Sequence, residues 1–302
     1  MTSSRFGRFS IVWPLLIIAA AVVWGMYLAG SLPVTLVDLL ERSWPILLVL
    51  VGLMLLLGRR VRFGNVIAIV VCAALVGGVL TTAYSQQAGK YRTENRKPFS
   101  QPIDSGVTNV KIITNTLITE VEITLDKSSK PTISGEFVGS RESLVTSDYQ
   151  VDGSTGTFTL VETQSNTIPS LESVGRGKLT LRLPVGVTID QISVTGRDGS
   201  LSFDAVDATI KNLSVAMGGD LNVKLPDKGS LIGDLKTDRG SVVLQVPQTI
   251  AADIALQGGG ADNPEYNRAD YTLSAEKVLV SRRAADAQMQ ISISAPGKIT
   301  VQ

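Results

Sequence analysis

The chain has 302 residues and a formal net charge of +1, which allows one or two domains and gives no bulk electrostatic pull toward nucleic acid. It contains no histidine, which removes the commonest general base and metal ligand, and one cysteine, Cys72, which excludes an intrachain disulfide. Of 28 basic residues 6 precede residue 85, of 27 acidic residues 2 do, and so do all three tryptophans, Trp13, Trp24 and Trp44.

Residues 1–88 read as a transmembrane region. Ile11 to Gly30 is uncharged and follows Arg5 and Arg8. At about 20 residues it exceeds the apolar core of a signal peptide, about 7–15 residues, and matches a retained membrane helix, 11–30. Leu28-Ala29-Gly30-Ser31 has serine where a lipid-anchor motif needs cysteine. Leu36, Leu39 and Leu40, with Asp38 and Glu41 between them, give an amphipathic turn suited to the interface. The second helix, 44–58, spans about 22 Å against a hydrocarbon core of about 30 Å. It either crosses by thinning the bilayer or dips and returns. It ends at Arg59, Arg60 and Arg62, because hydrocarbon cannot solvate a guanidinium. A third apolar helix is expected over 66–84.

Both arginine groups favour the cytoplasm, and both reach it if the first two helices cross; the third then exports the remainder. Lys90, Arg92, Arg96 and Lys97 oppose this orientation, and it inverts if 44–58 does not cross. Trp13-Pro14-Leu15-Leu16-Ile17 is echoed by Trp44-Pro45-Ile46-Leu47-Leu48. Tryptophan suits the headgroup layer and proline the first turn of a helix. This order of helices and arginines over residues 11–84 resembles the LiaI–LiaF-type transmembrane region of bacterial proteins tied to cell-envelope stress.

The remainder changes character. After residue 84 there are 22 basic and 25 acidic side chains, a net of −3. Residues 89–105, charged and carrying Pro98 and Pro102, read as a linker. Residues 106–302 read as an all-β domain. Leu179, Leu181, Leu183, Val185, Val187 and Ile189 alternate with polar or turn residues, as in a strand with one buried face bent at Pro184 and Gly186. Three units follow: Val194-TGRDGS-Leu201-Ser-Phe203, Val215-AMGGD-Leu221-Asn-Val223 and Leu235-KTDRGS-Val242-Val-Leu244. Their turn glycines, Gly199, Gly219 and Gly240, lie 20 and 21 residues apart. Each is expected to supply a turn conformation closed to branched residues, so that apolar pairs beyond it stack on the neighbouring turn. Weaker members are Val110/Ile112, Val121/Ile123/Leu125, Tyr149/Val151 and Phe158/Leu160. Solenoid-like stacked β-strand repeats and a sandwich of hairpins both fit this pattern.

LRLPVGVTIDQISVTGRDGSLSF resembles the bacterial adhesin-like "toastrack" β-strand repeat domain, the DUF4097 group. The resemblance covers residues 107–302, is strongest over 179–247, and implies a solenoid-like stack. Its pairing with a LiaI–LiaF-type membrane region is a known arrangement.

The chemistry is sparse. Gly258-Gly259-Gly260 lacks the helix and Lys/Thr of a phosphate cradle. Asp198, Asp220, Asp234 and Asp238 sit at turns without a calcium-binding spacing, and Arg197 and Arg239 could meet an anion. No Gly-x-Ser-x-Gly motif occurs. The expectation is a non-enzymatic, multi-pass membrane protein without cofactor or metal, in envelope-stress sensing or its regulation. The alternative is a surface adhesin anchored by the helices. Expected partners are the lipid bilayer and a membrane signalling protein, or a second copy met through strand edges; nucleic acid is not among them.

Overall fold

A computed structural model describes residues 90–127, 131–164, 175–283 and 288–302. The three expected membrane helices, with Arg5, Arg8, Trp13, Trp44, Arg59, Arg60 and Arg62, lie outside the described residues. Among the described residues no helix is long and apolar enough to cross a membrane, and the one helical piece is a 3-10 turn, Gly259–Asp262.

The described chain is built from strands: β1 (Asn95–Pro102), β2 (Asn109–Thr116), β3 (Thr119–Asp126), β4 (Thr132–Gly139), β5 (Ser143–Asp152), β6 (Thr155–Gln164) and β7 (Gly177–Pro184). They continue as β8 (Thr188–Gly196), β9 (Leu201–Asp204), β10 (Thr209–Met217), β11 (Leu221–Lys224), β12 (Ile232–Thr237) and β13 (Val242–Gln245). Last come β14 (Ala251–Gln257), β15 (Glu265–Tyr266), β16 (Tyr271–Leu273), β17 (Val278–Ser281), β18 (Gln288–Ser294) and β19 (Ile299–Val301). Sheet I has the order β1-β4-β7-β3-β9-β11-β13-β19-β15, and sheet II the order β16-β17-β14-β18-β12-β10-β8-β2-β6-β5.

A sheet II strand followed by a sheet I strand makes one coil, and every coil pairs with its neighbours in parallel. The coils stack in the order β6/β7, β2/β3, β8/β9, β10/β11, β12/β13, β18/β19, β14/β15. This is the solenoid-like arrangement rather than the sandwich of hairpins. Inward residues stack in register: Val194, Val215, Leu235 and Ile293 make one column, and Val121, Leu201, Leu221, Val242 and Ile299 another. Each of these is at most 2% exposed, so the alternation read from the sequence is the alternation of core and solvent.

Two expectations change, and the order of the coils adds a third feature. The run 179–189 is two strands in different sheets, because Pro184 ends β7 and Gly186, at φ +93°, turns the chain before β8. The stretch read as a linker contains β1, which pairs antiparallel with β4 through all eight of its residues. Its prolines are compatible with a strand because β1 lies at a sheet edge. The stack also does not follow chain order at its ends: β6/β7 lies outside β2/β3, and β14/β15 lies outside β18/β19. Antiparallel strands close both ends, β4 on β7 and β5 on β6 at one, β17 on β14 at the other. Phe99 of β1 stacks on Phe158 at 5.7 Å and plugs the first end between the sheets.

Candidate interaction surfaces

The three repeat-turn glycines come together. Gly199, Gly219 and Gly240 form one column at the corner between sheet II and sheet I, and Gly297 and Gly260 continue it. The reason differs from the expected one, since none of these glycines has a left-handed φ. What forbids a side chain is the next coil: a Cβ on Gly240 would lie 2.3 Å from the Gly219 carbonyl oxygen. Coils approach this closely because their backbones bond across the corner, as in Gly219 N–H to Gly199 O at 2.8 Å and Leu221 N–H to Ser241 O at 2.9 Å. Gly297 was legible, since it precedes Ile299 and Val301 as Gly240 precedes Val242 and Leu244.

Side chains lace the same corner. Ser200 Oγ accepts from Asp220 N–H at 3.2 Å, Asp220 Oδ1 from Ser241 N–H at 2.8 Å, and Ser241 Oγ from Lys298 N–H at 3.2 Å. Arg239 pairs with Asp198 two coils away, across the β10/β11 turn, and Arg197, beside Asp198 in its own turn, is 3.7 Å from that carboxylate. These turn charges thus engage one another, and Asp238 lies 4.0 Å from Lys236. Among the described residues no group of three or more carboxylate or thiol ligands gathers as a metal site would need. Gly258 precedes, and Gly259 and Gly260 open, the 3-10 turn that carries the chain to β15.

The β2/β3 corner has Leu117-Ile118 in place of a glycine turn and is held from outside. Glu162 of β6, 5% exposed, accepts from Leu117 N–H and from Thr119 Oγ1, both at 2.7 Å. Nothing in the repeat pattern marks this carboxylate, because its partners lie more than 40 residues away.

Two open depressions lie on sheet I. One, about 480 Å³, is floored by Ser202, Asn222 and Val243 and rimmed by Glu120, Glu122 and Lys178. Tyr91 donates to Glu120 at 2.5 Å, and this bond, followed by burial, holds the phenol above its ordinary pKa. The bond from Lys178 to Glu122, 2.8 Å, does the same for the ammonium. The other, about 710 Å³, lies where sheet I turns back, over Leu225, Val246 and Val301, with Tyr266, Gln245 and Gln302 beside it. Its wall is fixed by Arg283, whose Nη2 meets Asp270 at 2.9 Å and whose Nη1 donates to Pro247 O at 3.0 Å. Both are shallow and polar-rimmed, suited to contact with a partner surface.

No family model matches the chain, and no curated protein does. Among solved structures it is similar to a "putative cell adhesion protein" from Clostridium sporogenes, at 16% identity over 68% of this chain and 97% of that one, with a TM-score of 0.51. A "putative adhesin" from Bacteroides fragilis aligns at 12% identity over 71% of this chain and 100% of the other, with a TM-score of 0.28. At this identity the likeness to the Clostridium protein shows the fold alone: a β domain of stacked strands in two sheets.

Proposed function

We propose that the chain is a non-enzymatic, multi-pass bacterial membrane protein that displays this β domain outside the cytoplasm and acts in cell-envelope stress sensing or its regulation. The carrying observation is the self-contained stack. Its ends are closed by its own antiparallel strands, its core is aliphatic, and its outward surfaces are laced by polar side chains, as suits a rigid contact module. The absence of histidine and the shallowness of both depressions favour contact over turnover. The apolar segments before residue 85 support anchoring. Their resemblance to the LiaI–LiaF-type region supports a place in envelope stress.

The test is deletion of the gene followed by challenge with a cell-wall antibiotic and measurement of the induced envelope response. The reading expects an altered amplitude or threshold; an unchanged response overturns it. Reporter fusions at Val61 and Gln302 test the display, with Val61 expected inside and Gln302 outside. The fold shared with the "putative cell adhesion protein" motivates a second reading, in which the anchored domain attaches to wall or host material. Binding of residues 91–302 to cell-wall glycans, with stress signalling intact after deletion, would select it.

A further inference from the structure

Two stacked sheets have four edges, and an exposed edge strand is a template for another strand unless something blunts it. Here β15 is two residues long and β16 three. β1 is eight residues long but carries Arg96, Lys97, Pro98 and Pro102. β5 is different. It runs for ten residues, SLVTSDYQVD, with no proline, glycine, lysine or arginine, and it leaves Leu144 and Val151 50% and 45% exposed.

The free side of β5 is covered only at its start, at two of its five outward-facing positions. Asn95 Nδ2 donates to Ser143 O at 2.6 Å and Lys97 Nζ to Val145 O at 2.5 Å, so these carbonyls point away from β6. Leu144 O faces the other way, toward Thr163 of β6. By the two-residue period of an antiparallel strand, the backbone groups of Ser147, Tyr149 and Val151 also point outward. Past Val145 no side chain among the described residues hydrogen-bonds to this row.

We infer that the open half of β5, Ser147–Asp152, is a homotypic pairing site that adds antiparallel to the same segment of a second copy. The inference rests on the proposed membrane anchoring, which would hold copies side by side and raise their effective concentration. The segment is self-complementary. With a two-fold axis at Tyr149, Ser147 faces Val151 of the second copy and Asp148 faces Gln150 of the second copy, so no like charges oppose each other. The amide–carboxylate match already exists within one copy, where Gln150 Nε2 donates to Asp148 Oδ2 at 2.8 Å. Asn95 and Lys97 set the register by blocking the ladder before Ser147.

Disulfide trapping in the full-length chain in membranes tests this, with Cys72 replaced by serine. Asp148→Cys and Gln150→Cys, on separate copies, would face each other as a non-hydrogen-bonded pair about 4.5 Å apart at Cα, within disulfide reach. The mixture should cross-link several-fold more than Asp148→Cys alone, and Ser147→Pro, which removes an outward N–H, should abolish it. Both cysteines sit on the exposed face, so the cross-link can be read even if the proline variant fails to fold. No cross-link in the mixture, or equal cross-linking by Asp148→Cys alone, overturns the pairing. The functional reading fails separately: trapped dimers in a strain whose envelope response is unaffected by deletion would refute that reading and keep the pairing. Loss of dimers with a normal response would refute the pairing's role alone.

Discussion

Replacing Gly240 by alanine adds one methyl at the corner where the β10/β11 and β12/β13 coils touch. The added carbon would sit 2.3 Å from Gly219 O, 2.4 Å from Gly219 C and 2.6 Å from Asp220 N, where ordinary contact begins at 3.4 Å. All three are backbone atoms, so no side chain can swing aside, and the coils must part by about 1 Å. That movement loosens the bonds closing the corner: Leu221 N–H to Ser241 O at 2.9 Å, Ser241 N–H to Asp220 Oδ1 at 2.8 Å and Gly240 N–H to Thr237 Oγ1 at 2.9 Å. Overpacking of about 1–3 kcal/mol with about one lost hydrogen bond gives a cost of about 2–4 kcal/mol. For a domain of this size the midpoint should fall by about 5–15 °C. Thermal unfolding of residues 91–302 measures it, with Gly106→Ala as the control, because a Cβ on Gly106 would meet nothing within 4 Å and its φ is not left-handed. The control should be neutral or stabilising by up to about 1 kcal/mol. Equal midpoints for the two variants would refute the steric account of the column.

Removing Glu162 should leave the Leu117 N–H and the Thr119 hydroxyl without their acceptor. Glu162→Ala is expected to cost about 2–4 kcal/mol in urea unfolding, and Glu162→Gln, which keeps one acceptor, distinctly less. A pH series tests the Asp270 wall: the bond from Arg283, then that from Asn267, holds the Asp270 carboxyl below its ordinary pKa. With the folded value lowered, its contribution is complete above the ordinary carboxylate value of about 4 and is lost as pH falls through the folded value. The unfolding midpoints of wild type and Asp270→Asn should therefore converge as pH drops from about 5 to about 2; a constant gap would contradict it.

The middle of the stack was readable because each coil there repeats local rules. From Leu179 to Gln245 the alternation, the turn glycines and the coil length all lie within about 20 residues of one another, so one unit predicts the next. The purpose of the glycines was not readable. Close approach depends on the neighbouring coil, and sequence alone offers only the commoner explanation of a positive φ. The ends were hidden for a related reason. β1 is polar and proline-bearing because an edge strand in sheet I has one ladder side to fill, and such a strand looks like a linker. β5 shows one buried position in ten, so Tyr149/Val151 registered only as a weak member. Glu162 could not be found, because its acceptor role is set by pairing β6 outside β2, a contact between distant residues.

The inverted order at the far end has its own consequence. β14 is bounded by β18 on one side and β17 on the other, and β15 pairs with β19. The outermost coil is thus made earlier in the chain than the coil it rests on. Until residues 288–302 are in place, Ile254 and Leu256 have no parallel neighbour to stack on, although both are at most 4% exposed in the finished fold. A short antiparallel sheet of β14, β16 and β17 alone buries too little apolar surface to hold itself. Deleting 288–302 should therefore release hydrogen-exchange protection across β14–β17 as one unit. The amides of β8 and β10, flanked by parallel coils on both sides, should stay protected. Survival of protection in β14 after that deletion would show that the β14–β17 segment folds on its own and that the inserted coil does not support it.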